Sequence, residues 1–333
     1  MENNPKNILD AHGRIHDYLR ISLTERCNLR CFYCMPEEGV QLRDKSEFMT
    51  AEETIAIAKT FVDLGVKKIR LTGGEPLIKK NAGIIIRELG KLPVELSITT
   101  NAVTVDRFID DFKQAGIKSV NVSLDSLKAD TFNKISRRSY FKEIMKNIQL
   151  LLDNDFHVKI NVVVIKNIND DEIIDFIQWT KNVNIHIRFI EFMPFDGNNW
   201  NWEKKVSFKE ILEQIDTEIG TESYNKIKDQ PNDTARNYQL VNGLGTFGII
   251  SSVTNPFCDT CNRIRLTADG KVKNCLFSEA ETDILGAFRS NQEIEPLIRK
   301  SITAKHKERA GLPDFSDEDI HLYKNRSMTA IGG

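Results

Sequence analysis

YLRISLTERCNLRCFYC, residues 18–34, joins an apolar, strand-like run, Tyr18–Leu23, to three cysteines spaced C-x3-C-x2-C: Cys27, Cys31 and Cys34. A strand that feeds a loop bearing reactive side chains is the order of an α/β fold, whose chemistry lies at strand C-terminal ends. Cys258, Cys261 and Cys275 form a second group, C-x2-C-x13-C, and residues 35–257 contain no cysteine. Two tight groups so far apart read as two separate three-thiolate sites. Iron–sulfur clusters are normally held by four thiolates, and closed structural zinc sites by four Cys or His ligands. Neither group has a fourth Cys or a neighbouring His; His16 and His306 are the nearest. Three thiolates suit a cluster with one iron left open, and the first spacing favours that over zinc. The second group also resembles a zinc knuckle. Small buried cysteines are the bland alternative for both.

From this loop outward, strand-like and helical stretches alternate. Lys68–Thr72, Val94–Thr99, Lys118–Leu124, Val158–Ile165 and Ile185–Phe192 read as strands after Tyr18–Leu23. Ala51–Leu64, Ile84–Leu92, Asp106–Ala115, Phe141–Asn154 and Asp170–Thr180 read as helices between them. Thr50 with Glu53 forms a capping box, and Gly116 closes the third helix. Six strands alternating with helices predict a parallel sheet or an incomplete barrel. Past Asn198 the pattern changes: a helix at Ser207–Ile215, short strands with Gly243, Gly245 and Gly248, the second cysteine group, then helical sequence from Glu279 to Lys307.

At 333 residues the chain has room for about two domains. Its 46 Lys and Arg against 48 Asp and Glu leave a net charge of −2, so no overall basic field points to nucleic acid or an anionic membrane. No apolar run approaches the ~18 residues of a membrane span. The first residues lack a signal-peptide pattern, so a cytoplasmic, reduced setting is expected, in which cysteines serve metals or chemistry rather than disulfides.

The Cys27–Cys34 string, with an aromatic before its last cysteine, resembles the cluster loop of the radical S-adenosylmethionine (SAM) superfamily. Thr72-Gly73-Gly74-Glu75-Pro76 resembles that superfamily's glycine-rich segment. The second triplet, with Arg263-Ile264-Arg265 between its last two cysteines, together with the terminal Gly332-Gly333, is similar to the GTP 3',8-cyclase family of molybdenum cofactor biosynthesis. The resemblance runs from about Asp17 to Gly333. It implies an α/β fold: an incomplete (β/α)6 TIM-like barrel of the radical SAM type over residues 1–217, and a C-terminal α+β domain over 218–333 with a second cluster.

Further implications are residue by residue. One [4Fe–4S] cluster would sit on Cys27, Cys31 and Cys34, with SAM on its open iron and against Tyr33, Gly74, Ser123 and Met193. A second would sit on Cys258, Cys261 and Cys275 and take the purine of GTP. Arg20, Arg70, Thr99, Lys159, Arg188, Arg263, Ile264 and Arg265 would contact GTP, and Arg263, Arg265, Gly332 and Gly333 would serve catalysis. A 5'-deoxyadenosyl radical would abstract the ribose 3'-hydrogen before C3' attacks C8. An electron donor (a reductase or flavodoxin), a homodimer and a downstream cyclic pyranopterin monophosphate synthase are implied as partners. GTP carries about −4 near neutral pH, so such a cavity needs cations, preferably Arg.

Spacing alone reads several of these residues otherwise. Arg263 and Arg265 alternate with Ile264 as solvent-facing strand residues would, and so does Lys159 between Val158 and Ile160. Arg188, between Ile187 and Phe189, reads as an inward or sheet-end residue. Ser123 and Asp125 could simply end a strand. Ala102 stands where the family often has Gly; a positive φ there would cost about 1 kcal/mol.

Overall fold

A computed structural model of the chain describes residues 7–35, 43–195, 198, 200–312 and 325–332. Six strand–helix units come first: β1 (Tyr18–Ser22) and α1 (Ala51–Asp63), β2 (Lys68–Thr72) and α2 (Ala82–Leu89), β3 (Glu95–Thr100) and α3 (Ile109–Gln114). β4 (Ser119–Ser123) is followed by α4 (Ala129–Ser136) and α5 (Phe141–Asp153), β5 (His157–Val164) by α6 (Ile173–Asn182), and β6 (His186–Glu191) by α7 (Phe208–Ile219). The expected edge at 217/218 falls within α7. Beyond it run β7 (Tyr224–Lys226), β8 (Arg236–Leu240), β9 (Thr246–Ile250), β10 (Arg263–Leu266), β11 (Lys271–Lys273) and β12 (Thr282–Asp283). Three helices complete the described chain: α8 (Ile284–Arg289), α9 (Glu295–Thr303) and α10 (Met328–Ile331).

All twelve strands lie in one sheet, ordered β12-β11-β10-β1-β2-β3-β4-β5-β6-β9-β8-β7. The six parallel strands read from the sequence form its centre. β10 adds in parallel to β1, and β9 in parallel to β6. Eight parallel strands therefore curve as a partial barrel, but β9 and β10 do not pair with each other, so it stays open. Antiparallel hairpin pairings cap both edges.

Strand alternation explains why this barrel can hold a ligand. Successive side chains point to opposite faces. One face of the parallel strands is apolar: Leu19 and Ile21, Ile69 and Leu71, Val120 and Val122, Ile160 and Val162, Ile187 and Phe189, Ile264 and Leu266 are all buried in the main core. Helices cover it with Ile57, Phe61, Ile86, Phe112, Ile148 and Phe176, also fully or almost fully buried. Burying each such side chain is worth about 1.5–3 kcal/mol. The Thr50–Glu53 capping box fixes the start of α1, with Thr50 N–H to Glu53 at 2.8 Å and Glu53 N–H to Thr50 at 3.2 Å. The concave face is polar: Arg20, Arg70, Thr99, Ser123, Asn161, Arg188, Arg263 and Arg265 line a cavity there. An ordinary closed (β/α)8 barrel packs branched apolar residues in that place.

Candidate active site

The glycine-rich segment holds the first cysteine loop in place. Gly73, at φ 149°, and Gly74 run beside Thr24–Arg26; Gly74 N–H donates to Thr24 O at 2.7 Å and Glu75 N–H to Arg26 O at 2.8 Å. A Cβ on Gly74 would lie 2.4 Å from Arg26 O, and one on Gly73 2.6 Å from Thr24 O. No other residue permits this approach. Glu75 is fully buried. Its carboxylate accepts from Leu77 N–H (3.0 Å), Thr100 Oγ1 (2.8 Å) and Asn101 N–H (2.7 Å). Asn101 in turn donates to Asn28 at 2.7 Å and to the Cys27 sulfur at 3.7 Å. The motif after β2 is thus bonded through Asn101 to Cys27.

All six cysteines are free thiols that line the same cavity. In the first triplet, burial pushes Cys27 up to about 11 and Cys34 to about 12, and drives Cys31 well above the usual thiol range. Glu75 adds to this at Cys27, and Asp125 at Cys31 and Cys34. Asp125 is itself raised by burial to about 6, although it accepts from Tyr33 Oη (2.6 Å) and Val163 N–H (2.9 Å). Ser123 and Met193 line the cavity with Tyr33 and Gly74.

The second triplet has different neighbours. Burial would raise Cys261, but Arg263 and Lys305 outweigh it and hold the thiol down at about 6. Lys305 is 4% exposed, and its Nζ donates to the Cys261 sulfur at 3.3 Å and to Arg263 O at 3.1 Å. Arg14 donates to Cys258 O at 2.7 Å, so the N-terminal loop braces this triplet from behind. Glu191, at the end of β6, accepts from Val253 N–H (2.9 Å), Thr254 N–H (3.0 Å) and Phe208 N–H (2.9 Å), fastening the approach to Cys258. No three His, Cys, Asp or Glu among the described residues converge as a single-ion site. A lone zinc ion would need four donors, with each sulfur at about 2.3 Å. Trios of unpaired thiols around one cavity fit the donor set of open-iron clusters.

Between the triplets stand the cations. On facing register positions, Arg265, Arg20 and Arg70 form one row across β10, β1 and β2. Arg188 sits beside Asn161, and Lys159 between Asn121 and His186. Among the described residues, none of Arg20, Arg70, Lys159, Arg188, Arg263 or Arg265 forms an ion pair with a carboxylate. Burial and mutual repulsion lower Arg188 and Arg265 to about 9 and Lys159 to about 8. Arg263 and Arg265 therefore line the cavity rather than face solvent, as spacing alone suggested, and half-buried Lys159, outside that lining, feels the charge of Arg188 and Arg70. Thr99 lines the cavity, whereas Ile264 turns its side chain into the core.

The chain's end reaches the same place. Arg265 donates to Gly332 O. A Cβ on Gly332, at φ 77°, would lie 2.5 Å from Thr72 Oγ1, so this residue is wedged against the tops of β1 and β2. Gly333 lies outside the described residues. Arg326 holds the approach, bonding Glu25 at 2.6 Å and reaching Asp269 and Glu281 at 3.1 Å. Ala102 does adopt a positive φ, 61°, with Asn147 Nδ2 donating to its carbonyl at 2.7 Å.

Sequence reasoning passed over Lys305 and the charge roles of Glu75 and Asp125. Lys305 lies 44 positions from Cys261, and nothing local pairs them. Asp125, at a strand end, and Glu75, inside the quoted motif, were visible as residues but not as buried acids.

The family model described as Radical SAM superfamily matches residues 21–180, and the one described as Molybdenum Cofactor Synthesis C matches residues 185–311. In fold, the chain is similar to the crystal structure of Streptococcus suis SuiB bound to S-adenosylmethionine, with TM-score 0.64 and 14% identity over 89% of this chain and 70% of that one. Molybdenum cofactor biosynthesis protein 1 of Drosophila melanogaster is 41% identical over 95% of this chain but 57% of its own length, so the chain spans about half of that relative. The protein named GTP 3',8-cyclase, mitochondrial, of Arabidopsis thaliana is 41% identical over 98% of this chain and 83% of its own. GTP 3',8-cyclase of Listeria welshimeri is 40% identical over 97% of this chain and 98% of its own. With two relatives matched over most or nearly all of their own length, the chain belongs to the GTP 3',8-cyclase family of radical SAM enzymes.

Proposed function

We propose that this chain is a radical SAM lyase that converts GTP to (8S)-3',8-cyclo-7,8-dihydroguanosine 5'-triphosphate, the first step of molybdenum cofactor biosynthesis. The observation that carries the reading is that Arg20, Arg70, Arg188, Arg263 and Arg265, with no carboxylate partner among the described residues, line the cavity that also receives both cysteine triplets. Buried cations with no counter-charge are costly. A triphosphate supplies that charge.

When bound, SAM and a [4Fe–4S] cluster on Cys27, Cys31 and Cys34 would supply the 5'-deoxyadenosyl radical that takes the ribose 3'-hydrogen. Tyr33, Gly74, Ser123 and Met193 line the cavity wall where SAM would lie. Cys258, Cys261 and Cys275 would hold a second [4Fe–4S] cluster facing the purine. Arg20, Arg70, Lys159 and Arg188 take the triphosphate. Arg263 and Arg265 contact GTP, Arg265 also holding Gly332, and Thr99 contacts GTP from β3. A partial barrel over residues 1–217 thus serves SAM and the triphosphate, and residues 218–333 carry the second cluster with further GTP contacts and shield the reacting carbons from water. An electron donor, a homodimer, hand-over to cyclic pyranopterin monophosphate synthase and cytoplasmic residence belong to the same reading. No helix among the described residues is long and apolar enough to cross a membrane.

The test is anaerobic. Reconstituted protein with about eight irons per chain is given SAM, a reductant and GTP. GTP-dependent 5'-deoxyadenosine is the expected product, and its absence overturns the reading. Arg265→Ala is expected to weaken GTP binding roughly 10- to 100-fold, the loss of hydrogen bonds to a charged group, while the first cluster still assembles.

A further inference from the structure

Tyr18 opens β1 between Arg263 on β10 and Lys68 on β2. It lies two residues before Arg20, so its side chain stands roughly 7 Å deeper in the barrel, away from the cysteine loop. Three cations surround its ring: the guanidinium carbons of Arg70 and Arg20 at 5.4 and 5.6 Å from the centroid, and Lys68 Nζ at 5.5 Å. Its hydroxyl is buried and, among the described residues, has no hydrogen-bond partner; the Nε groups of Arg20 and Arg188 beside it likewise find none there. Buried tyrosine hydroxyls usually find a partner. Of the cations around the ring, Lys68 is already paired, with Glu95 at 2.7 Å. Burial alone would raise the phenol, but Arg70, Arg20, Lys68 and Arg188 bring it down to about 8.

These facts have one common explanation. Like charges packed this closely repel, and the negative face of an aromatic ring partly offsets the repulsion. The ring can therefore keep Arg20 and Arg70 together before any anion arrives. A hydroxyl among unpartnered guanidinium N–H groups, with no acceptor of its own, is placed to donate to an oxygen that those groups also bind.

The geometry points to Tyr18 as a phosphate-binding and cation-positioning residue: its ring gathers Arg20, Arg70 and Lys68, and its hydroxyl donates to the polyphosphate of the substrate. This rests on the GTP reading above.

The experiment uses reconstituted holoenzyme and measures GTP binding by calorimetry. It also measures inhibition by inorganic tripolyphosphate, and KM against kcat. Tyr18→Phe keeps the ring and is expected to weaken GTP and tripolyphosphate binding about 10-fold, as the loss of one hydrogen bond to a charged group predicts. KM should rise more than kcat falls, and the visible spectrum of the clusters should not change. Tyr18→Leu removes the ring as well and should weaken both ligands further. Should Tyr18→Leu fail to fold, Tyr18→Phe still decides. Wild-type protein that binds no GTP overturns the proposed function and this assignment with it. Wild-type binding that Tyr18→Phe leaves unchanged for both ligands overturns this assignment alone.

Discussion

Around Cys27, Cys31 and Cys34 the charged neighbours that matter most are two buried acids, Glu75 and Asp125; around Cys261 they are Arg263 and Lys305. Both triplets line one cavity, yet the first holds its thiols protonated well above neutral pH and the second holds one thiol at about 6. The difference teaches what each site needs from its ligand. At the first, Arg30 pulls Cys27 down less than burial and Glu75 push it up, so the balancing positive charge must come from the bound metal, whose arrival displaces the protons. The second favours thiolate at Cys261, while burial raises Cys258, and its cations remain available to an anionic substrate. One region is arranged around a metal group; the other is arranged around a metal group with an anion beside it.

The comparison breaks most sharply if the two sites are not independent. Cys27→Ala is expected to remove about half of roughly eight irons and abolish 5'-deoxyadenosine formation. Cys261→Ala should remove the other half yet keep SAM cleavage while losing the cyclised product. Equal loss of iron and of SAM cleavage in both variants would show one linked site. Iron and sulfide analysis with product chromatography reads this directly.

Glu75 gives the next largest effect. Burial raises its carboxyl from 4.5 to about 7 against three hydrogen bonds that act the other way. Between those two values the native protein holds more protons than the unfolded chain, so stability from this group falls as pH rises from about 4.5 to about 7. The loss is up to roughly 3 kcal/mol. Thermal melts of the metal-free protein should show that slope, and Glu75→Gln should flatten it. An unchanged slope in the variant would mean that Glu75 is ionised throughout.

Lys305 sharpens the other side with a smaller effect. Lys305→Met leaves Arg263 O without its donor and Cys261 without its nearest cation. Chelator should strip the second site roughly 10-fold faster than in wild type, in keeping with about 1–3 kcal/mol for an unmet buried group. The first site should be unaffected, and Lys305→Arg should restore part of the difference. Equal stripping of both sites would remove the contrast.

Much of this was legible from residues. β2 runs as read from Lys68 to Thr72, and the other five central strands agree to within one or two positions, because an apolar face packed under helices imposes a period on the sequence. The cysteine spacing and the glycine pair marked the site, since each meets a local demand of ligation or close backbone approach. Of the two places read for Arg188, inward or at the sheet's end, the inward one holds. Ala102 was flagged, and its φ is positive. The helix α4 went unread: only Phe132 and Ile135 of its residues are buried apolar side chains, too few to stand out as a helical face.

What the sequence determined by itself was therefore local: six strand–helix units, two trios of thiols, and the family to which their motifs belong. Tertiary structure decided which face of each strand the cations take. Arg263 and Arg265 turn inward because β10 pairs with β1 and brings them beside Tyr18 and Arg20, a register set by residues about 245 positions away. Tertiary structure also decided that Lys305 meets Cys261 and that Gly332 returns to Thr72. Charge and close contact depend on distance in space, and no sequence period encodes a meeting between segments so far apart along the chain.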